Sequence, residues 1–307
     1  MNKYPEYYTL NNGIKIPVMG MGTDSMKNIS EVIYSSIKSG TRLIDTAARY
    51  GNEKEIGIGI NKALNEGIVK REDLYIITKL NPIEKDDPEK AIKTSLEKLN
   101  LSYVDLYLDH WPSGDKLKDG KLYKAVPVHY FWPIIESFVS KGYTKSIGVS
   151  NYNVQSLLNI LSFCKIKPAV NEIEFHPYLY QKNLVEFCKA QGIQVIAYNS
   201  LIKGNSVQTY KDKFKDYSLN LLEEDVIKEM AKKYNTTEGL IALNWSISQD
   251  IIVIPRTSNP NRMSENLKAK DFRMSKEDIE KISKLNKNQR FNCSYIWDSY
   301  MGVDLFA

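Results

Sequence analysis

Cysteine is scarce in this chain. The three present, Cys164, Cys188 and Cys293, share no metal-ligand spacing, and an odd number cannot all pair within one chain. They read as free thiols of a reducing cytoplasm, and no metal site is expected. Long apolar runs are missing too: none approaches the ~20 residues a membrane helix needs. The opening MNKYPEYY has no apolar signal region, so neither export nor membrane insertion is expected. No repeat, low-complexity segment or linker divides the 307 residues, which points to one domain over 1–307. Charge of one sign is not concentrated either. The net +5 is spread along the chain, with small clusters at Lys116, Lys118, Lys121 and at Lys211, Lys213, Lys215. No nucleic-acid motif accompanies them, so they read as solvated faces and no nucleic-acid partner is expected.

What is present is alternation. Eight short apolar runs, at 16–22, 42–47, 74–80, 104–110, 146–151, 169–175, 194–199 and 251–255, read as strands. Between them lie stretches of helical period. In DPEKAIKTSLEKLN, residues Ala91, Ile92, Leu96 and Leu99 share one face, and NVQSLLNILSFC opens on Asn153 as a cap. Repeated βα units demand a mostly parallel sheet, and eight suffice to close an α/β (β/α)8 TIM barrel. The segment YYTLNNGIKIP ahead of them predicts a β-hairpin plugging one end. An open doubly wound sheet fits less well, because GMGT at 20–23 lacks the third glycine of a G-x-G-x-x-G loop.

Barrel enzymes build their sites at the C-terminal ends of the strands. In this register Asp45 ends the second strand, with Tyr50 just beyond it, Lys79 ends the third and His110 the fourth. An unpaired ammonium at the end of the buried run LYIIT would lose its hydration, so Lys79 needs a carboxylate. A neighbouring ammonium lowers the pKa of a phenol, and Lys79 is expected to do this for Tyr50. Asp45 would then hold Lys79, and His110 would orient a substrate oxygen. The result is an acid–base device for a carbonyl that becomes an alkoxide. Alternation turns Asp105, Tyr107 and Asp109 away from His110, so Asp109 is expected to pair with the helical layer. His176 reads as structural, and His129 lies in a long loop expected to border the pocket.

GTRLIDTAARYGNEKEIG, ITKL, VDLYLDHWP, SIGVSNY, NEIEFHPY and VIPRTSNPNRMSEN, in that order, resemble the aldo-keto reductase superfamily over nearly the whole chain, in its aldose and xylose reductase branch. The resemblance implies Tyr50 as general acid with Asp45, Lys79 and His110 as partners. It implies a nicotinamide cofactor, with Ser150, Asn151 and Glu172 at its carboxamide and Tyr198 stacked on the ring. Ser200 and Leu201 would lie at the pyrophosphate, Arg256, Thr257, Ser258 and Arg262 at the 2′-phosphate, and Glu265 and Asn266 at the adenine. Asp24 and Trp111 would line the substrate pocket, with the C-terminal loop over the active-site face. Two guanidiniums suit a phosphomonoester, which favours NADPH/NADP+ over NADH as the weaker alternative.

The chain departs from the family pattern in three places. Glu172 stands where the family commonly has Gln, and if ionised it would favour the cationic oxidised nicotinamide. Asp24 replaces an aromatic residue, which favours hydroxylated substrates. Asn199, Ser200 and Leu201 replace Ser-Pro-Leu. The tail RFNCSYIWDSYMGVDLFA resembles those of xylose and hexose-phosphate reductases. The expectation is an NADPH-dependent monomeric reductase of aldehydes, aldoses or sugar phosphates, a small-molecule carbonyl being its partner. The alternatives are a nicotinamide-sensing binding protein with minor turnover, and a glycosidase built on Glu172 and Glu174, which leaves Lys79 and Tyr50 without roles.

Overall fold

The computed structural model describes residues 3–113, 126–202 and 219–292. Two strands, β1 (Tyr7–Thr9) and β2 (Lys15–Pro17), pair antiparallel with Tyr8 opposite Ile16. Eight more follow: β3 (Met21–Gly22), β4 (Leu43–Asp45), β5 (Tyr75–Leu80), β6 (Val104–Asp109), β7 (Thr144–Ser150), β8 (Val170–Glu174), β9 (Gln194–Tyr198) and β10 (Ile252–Val253). They lie parallel, in chain order from β3 to β10. A parallel bridge from Met19 to Val253 closes the ring, with the Gly20 N–H donating to the Val253 carbonyl at 2.9 Å. All eight expected runs therefore supply barrel strands. The first divides: Ile16 and Pro17 belong to the hairpin, and only Met21 and Gly22 enter the barrel.

Between the strands run helices including α1 (Ser30–Lys38), α2 (Glu53–Asn65), α3 (Pro88–Leu99), α4 (Val128–Ser140), α5 (Val154–Leu161) and α6 (Lys182–Ala190). Next come α7 (Asp225–Lys233), α8 (Glu238–Ile247), α9 (Pro260–Asn266) and α10 (Lys276–Ser283). The caps follow from sequence: Asp87 accepts from the Lys90 N–H, and Asn153 from the Ser156 N–H. Ala91, Ile92, Leu96 and Leu99 are the buried face of α3, as their spacing predicts.

Period-2 alternation separates two cores. Leu43, Ile77, Leu106, Leu108, Val170, Ile196 and Ile252 fill the barrel, whereas Ile44, Ile76, Tyr107, Ile147 and Val195 pack outward against helices. The interior is crowded enough that a Cβ on Gly20 would stand 2.2 Å from Leu43 Cδ2. Leu10 and Ile16 of the hairpin join the inner core, and Asn11 and Asn12 donate to Pro168 and to Lys145 and Ser146 at the strand entrances. The plug thus closes the N-terminal end and leaves the C-terminal end open.

Candidate active site

The strand ends converge on a cavity of about 660 Å³. At its floor Lys79, fully buried, donates from Nζ to Asp45 Oδ1 at 2.6 Å and to the Thr46 carbonyl at 3.0 Å. Tyr50 Oη is 3.4 Å from the same nitrogen, and Glu172 Oε1 lies 3.3 Å away. The His110 ring meets Tyr50 edge-on at 5.6 Å. All four residues expected at the strand mouths are therefore together.

The turn carrying Tyr50 is fixed by the two residues that follow the 3₁₀ turn Ala48–Tyr50 and its glycine. Asn52 donates to the Thr23 carbonyl at the end of β3 and accepts from Thr46 Oγ1 beyond β4. Glu53 accepts from Thr78 Oγ1 of β5 at 2.7 Å. The Tyr-Gly-Asn-Glu sequence thus ties one loop to three strands, which holds the phenol where Lys79 reaches it.

Burial pulls the Lys79 ammonium toward neutrality, but Asp45, Glu172 and Tyr50 outweigh it and hold it well above its usual value. Lys79 stays charged. Burial and then the charges of Lys79, Arg49 and Lys85 push His110 well below the usual imidazole range, so it is neutral. For Tyr50, burial raises the pKa well above 10 and outweighs the expected downward pull of Lys79, which is present, and Asp45, Asp24 and Glu172 add to the rise. The phenol is a stable proton holder, and Lys79 acts on the phenolate only once it forms.

For Glu172 the sequence left the charge conditional. Burial, then Asp45, push it up to about 8 against the opposing pull of Lys79. The ionised form is therefore the disfavoured one near neutral pH. Asp45 is also raised by burial, with Lys79 pulling it back.

Around the floor, Ser150 Oγ donates to the Glu172 carbonyl at 3.0 Å, and Asn151 Nδ2 to the His110 carbonyl at 3.0 Å. Tyr198 donates to Asn151 Oδ1 at 2.7 Å and accepts from Asn292 Nδ2. Asn151 and Asn199 turn the chain just past β7 and β9 at φ 64° and 56°, a left-handed conformation asparagine tolerates. Ser200, Leu201, Arg256, Thr257, Arg262, Glu265 and Asn266 line the cavity, as do Trp111 and Asp24, whose carbonyl accepts from Arg256 at 2.7 Å. Ser258 does not line it: it sits on the exposed side of the turn before α9, where Asn259 takes up the cap.

Other expected residues divide. Asp109 faces outward to Lys85 at 2.9 Å and accepts from Tyr152 at 2.7 Å, as its parity predicts. Glu174 is occupied by Asn199 and by the N–H groups of Phe291 and Asn292, with His176 beside it at 3.3 Å. It anchors the chain over the barrel mouth rather than flanking a scissile bond. His129 departs from expectation: Pro127 starts α4, and the ring lies exposed against Tyr130, away from the cavity. Cys293, both lysine clusters and the tail beyond Asn292 lie outside the described residues. Arg49, Asn292 and the start of α8 at Thr237, Glu238 and Gly239 line the cavity without having been singled out. For Arg49 the signal was its adjacency to Tyr50; for α8 no local motif marks the approach.

The sequence pattern of the Aldo/keto reductase family matches residues 21–287. The chain belongs to this family. It is 39% identical over 310 residues to an NAD(P)H-dependent D-xylose reductase of Pachysolen tannophilus, covering 95% of this chain and 97% of the relative. An NADPH-dependent aldose reductase of Saccharomyces cerevisiae is 38% identical, with 94% and 96% covered. The 4-dihydromethyl-trisporate dehydrogenase of Mucor mucedo is 40% identical, with 94% and 95% covered. No described helix is long and apolar enough to cross a membrane.

Proposed function

We propose that the chain is an NADPH-dependent cytoplasmic reductase of aldehydes, aldoses foremost, with Tyr50 as its proton donor. The observation that carries this reading is the approach of Tyr50 Oη to the buried Lys79–Asp45 pair at the floor of a cleft that continues to Arg256 and Arg262. The reductases of Pachysolen tannophilus and Saccharomyces cerevisiae support the substrate class and the cofactor.

The cleft fits a nicotinamide nucleotide. Glu172 Oε2 is buried and without a hydrogen-bond partner at its inner end, where Ser150, Asn151 and Tyr198 also stand. Two guanidiniums line it as well, and among the described residues Arg256 donates to the Asp24 carbonyl at 2.7 Å, a neutral partner. Bound there, the reduced nucleotide supplies hydride. Tyr50 then gives its proton to the carbonyl oxygen, Lys79 stabilises the phenolate left behind, and neutral His110 orients the oxygen by a hydrogen bond. Trp111 excludes water on one side. Asp24, exposed at the mouth, presents acceptors for sugar hydroxyls.

The test is a matched NADPH and NADH assay across xylose, a hexose, a hexose phosphate, glyceraldehyde and an aromatic aldehyde. Turnover with NADPH, strongest on hydroxylated aldehydes, is expected. Tight NADPH binding with negligible turnover throughout would overturn it in favour of a cofactor-sensing protein.

A further inference from the structure

The floor of the cleft holds two carboxyls and one ammonium. Asp45 Oδ1 at 2.6 Å, the Thr46 carbonyl at 3.0 Å, Glu172 Oε1 at 3.3 Å and Tyr50 Oη at 3.4 Å surround Nζ. An ammonium has three N–H groups. Tyr50 keeps its own hydrogen, so three acceptors remain for them, and the shortage is of charge: two buried carboxyls face one cation. Glu172 is the one that keeps a proton: its Oε1 stands 3.3 Å from Nζ against 2.6 Å for Asp45 Oδ1, so Lys79 offsets Asp45 first, and a second carboxylate 2% exposed beside it is left without a cation of its own. Its other oxygen, Oε2, is buried without a hydrogen-bond partner among the described residues, and Glu172 lines the cleft.

We propose that Glu172 is the proton store of the Tyr50 device: it holds a proton shared with Asp45, passes it through Lys79 to Tyr50 after turnover, and remains as a carboxylate facing the oxidised nicotinamide. This rests on the function proposed above. The balance is as follows. Hydride goes from the reduced ring to the carbonyl carbon, and the Tyr50 proton to the carbonyl oxygen, which leaves a phenolate. Lys79 Nζ gives a proton to that phenolate and takes one from Glu172. The ring has become a cation and Glu172 an anion, so the two new charges offset each other in a site of low polarity. Solvent returns the proton to Glu172 when the oxidised nucleotide leaves.

The groups facing Glu172 are consistent with this role. Asp45 from β4 and Lys79 from β5 act on it directly. Tyr50 from the turn after β4 and Tyr198 from β9 both feel its charge, and both are protonated far above neutrality. His110, beyond β6, is neutral, and β7 presents only Ser150 and Asn151. No cation other than Lys79 reaches Glu172 among the described residues, so a cationic ring against Oε2 is the event that releases its proton.

The test counts protons on binding, without turnover. Titration calorimetry of the full chain at pH 7 in two buffers of different ionisation heat gives the protons released with NADP+ and with NADPH. The 2′-phosphate is common to both nucleotides, so its own protonation cancels in the difference. Wild type is expected to release more protons with NADP+, a difference approaching one, and to lose that difference as pH rises past about 8. Glu172→Gln is expected to show no difference at any pH. Equal release with both nucleotides in wild type, or a difference that survives in Glu172→Gln, overturns the proposal. Should the variant fail to fold, the pH dependence in wild type decides alone. Failure of wild type to bind either nucleotide would overturn the proposed function itself, and this inference with it.

Discussion

Lys79 Nζ and Asp45 Oδ1 meet at 2.6 Å beneath the cleft, with side chains 0% and 3% exposed. At that depth neither charge is tolerable without the other. Breaking a buried pair by removing one partner typically costs about 3–5 kcal/mol. Lys79→Met is therefore expected to lower the unfolding free energy by roughly that amount, as well as abolish turnover. Urea denaturation measures the first and aldehyde reduction the second.

The loop carrying Tyr50 depends on Asn52 and Glu53. Asn52→Ala removes the ties to Thr23 and Thr46 and leaves buried polar groups unmet, at a cost of about 1–3 kcal/mol. Catalysis is expected to suffer through position: kcat falls while nucleotide affinity holds. Steady-state kinetics alongside fluorescence titration of NADPH separates the two.

Protonation of Glu172 also shapes stability. Its folded-state pKa, about 8, lies above the ordinary 4.5, so the native state binds more protons than the unfolded chain between those values. The stabilisation is whole below pH 4.5 and is lost as pH rises through about 8, with a limiting slope of roughly 1.4 kcal/mol per pH unit. Glu172→Gln is expected to flatten that decline in urea midpoints measured between pH 5 and about 8. An unchanged slope would contradict it.

Arg256 and Arg262 line the cleft. A hydrogen bond to a charged group contributes about 1.5–3 kcal/mol. Arg256→Ala is thus expected to raise KM for NADPH by roughly ten- to hundredfold with little change for NADH. Equal effects on both would remove the 2′-phosphate from that position.

The barrel was legible because strand and helix periods differ, and because inward parity placed Asp45, Lys79 and His110 at one rim. The short reach of β3 was not, since Ile16 and Pro17 serve the hairpin in a run that reads as one strand. The site's residues were legible from register and family pattern, but their ionisation was not. Tyr50 is lifted by burial that its neighbours in sequence do not announce, and Glu172 by burial and then by Asp45 from four strands away around the ring. Thr237 and Glu238 approach the cleft from the start of α8, which no local motif signals.

The central claim is that Tyr50 supplies the proton. It is tested most directly by single-turnover reduction of glyceraldehyde, following NADPH absorbance in wild type and Tyr50→Phe at saturating nucleotide. Loss of a positioned general acid is expected to slow the step by about 10²–10⁴-fold, with NADPH affinity unchanged. An equal rate in the two proteins would contradict the account.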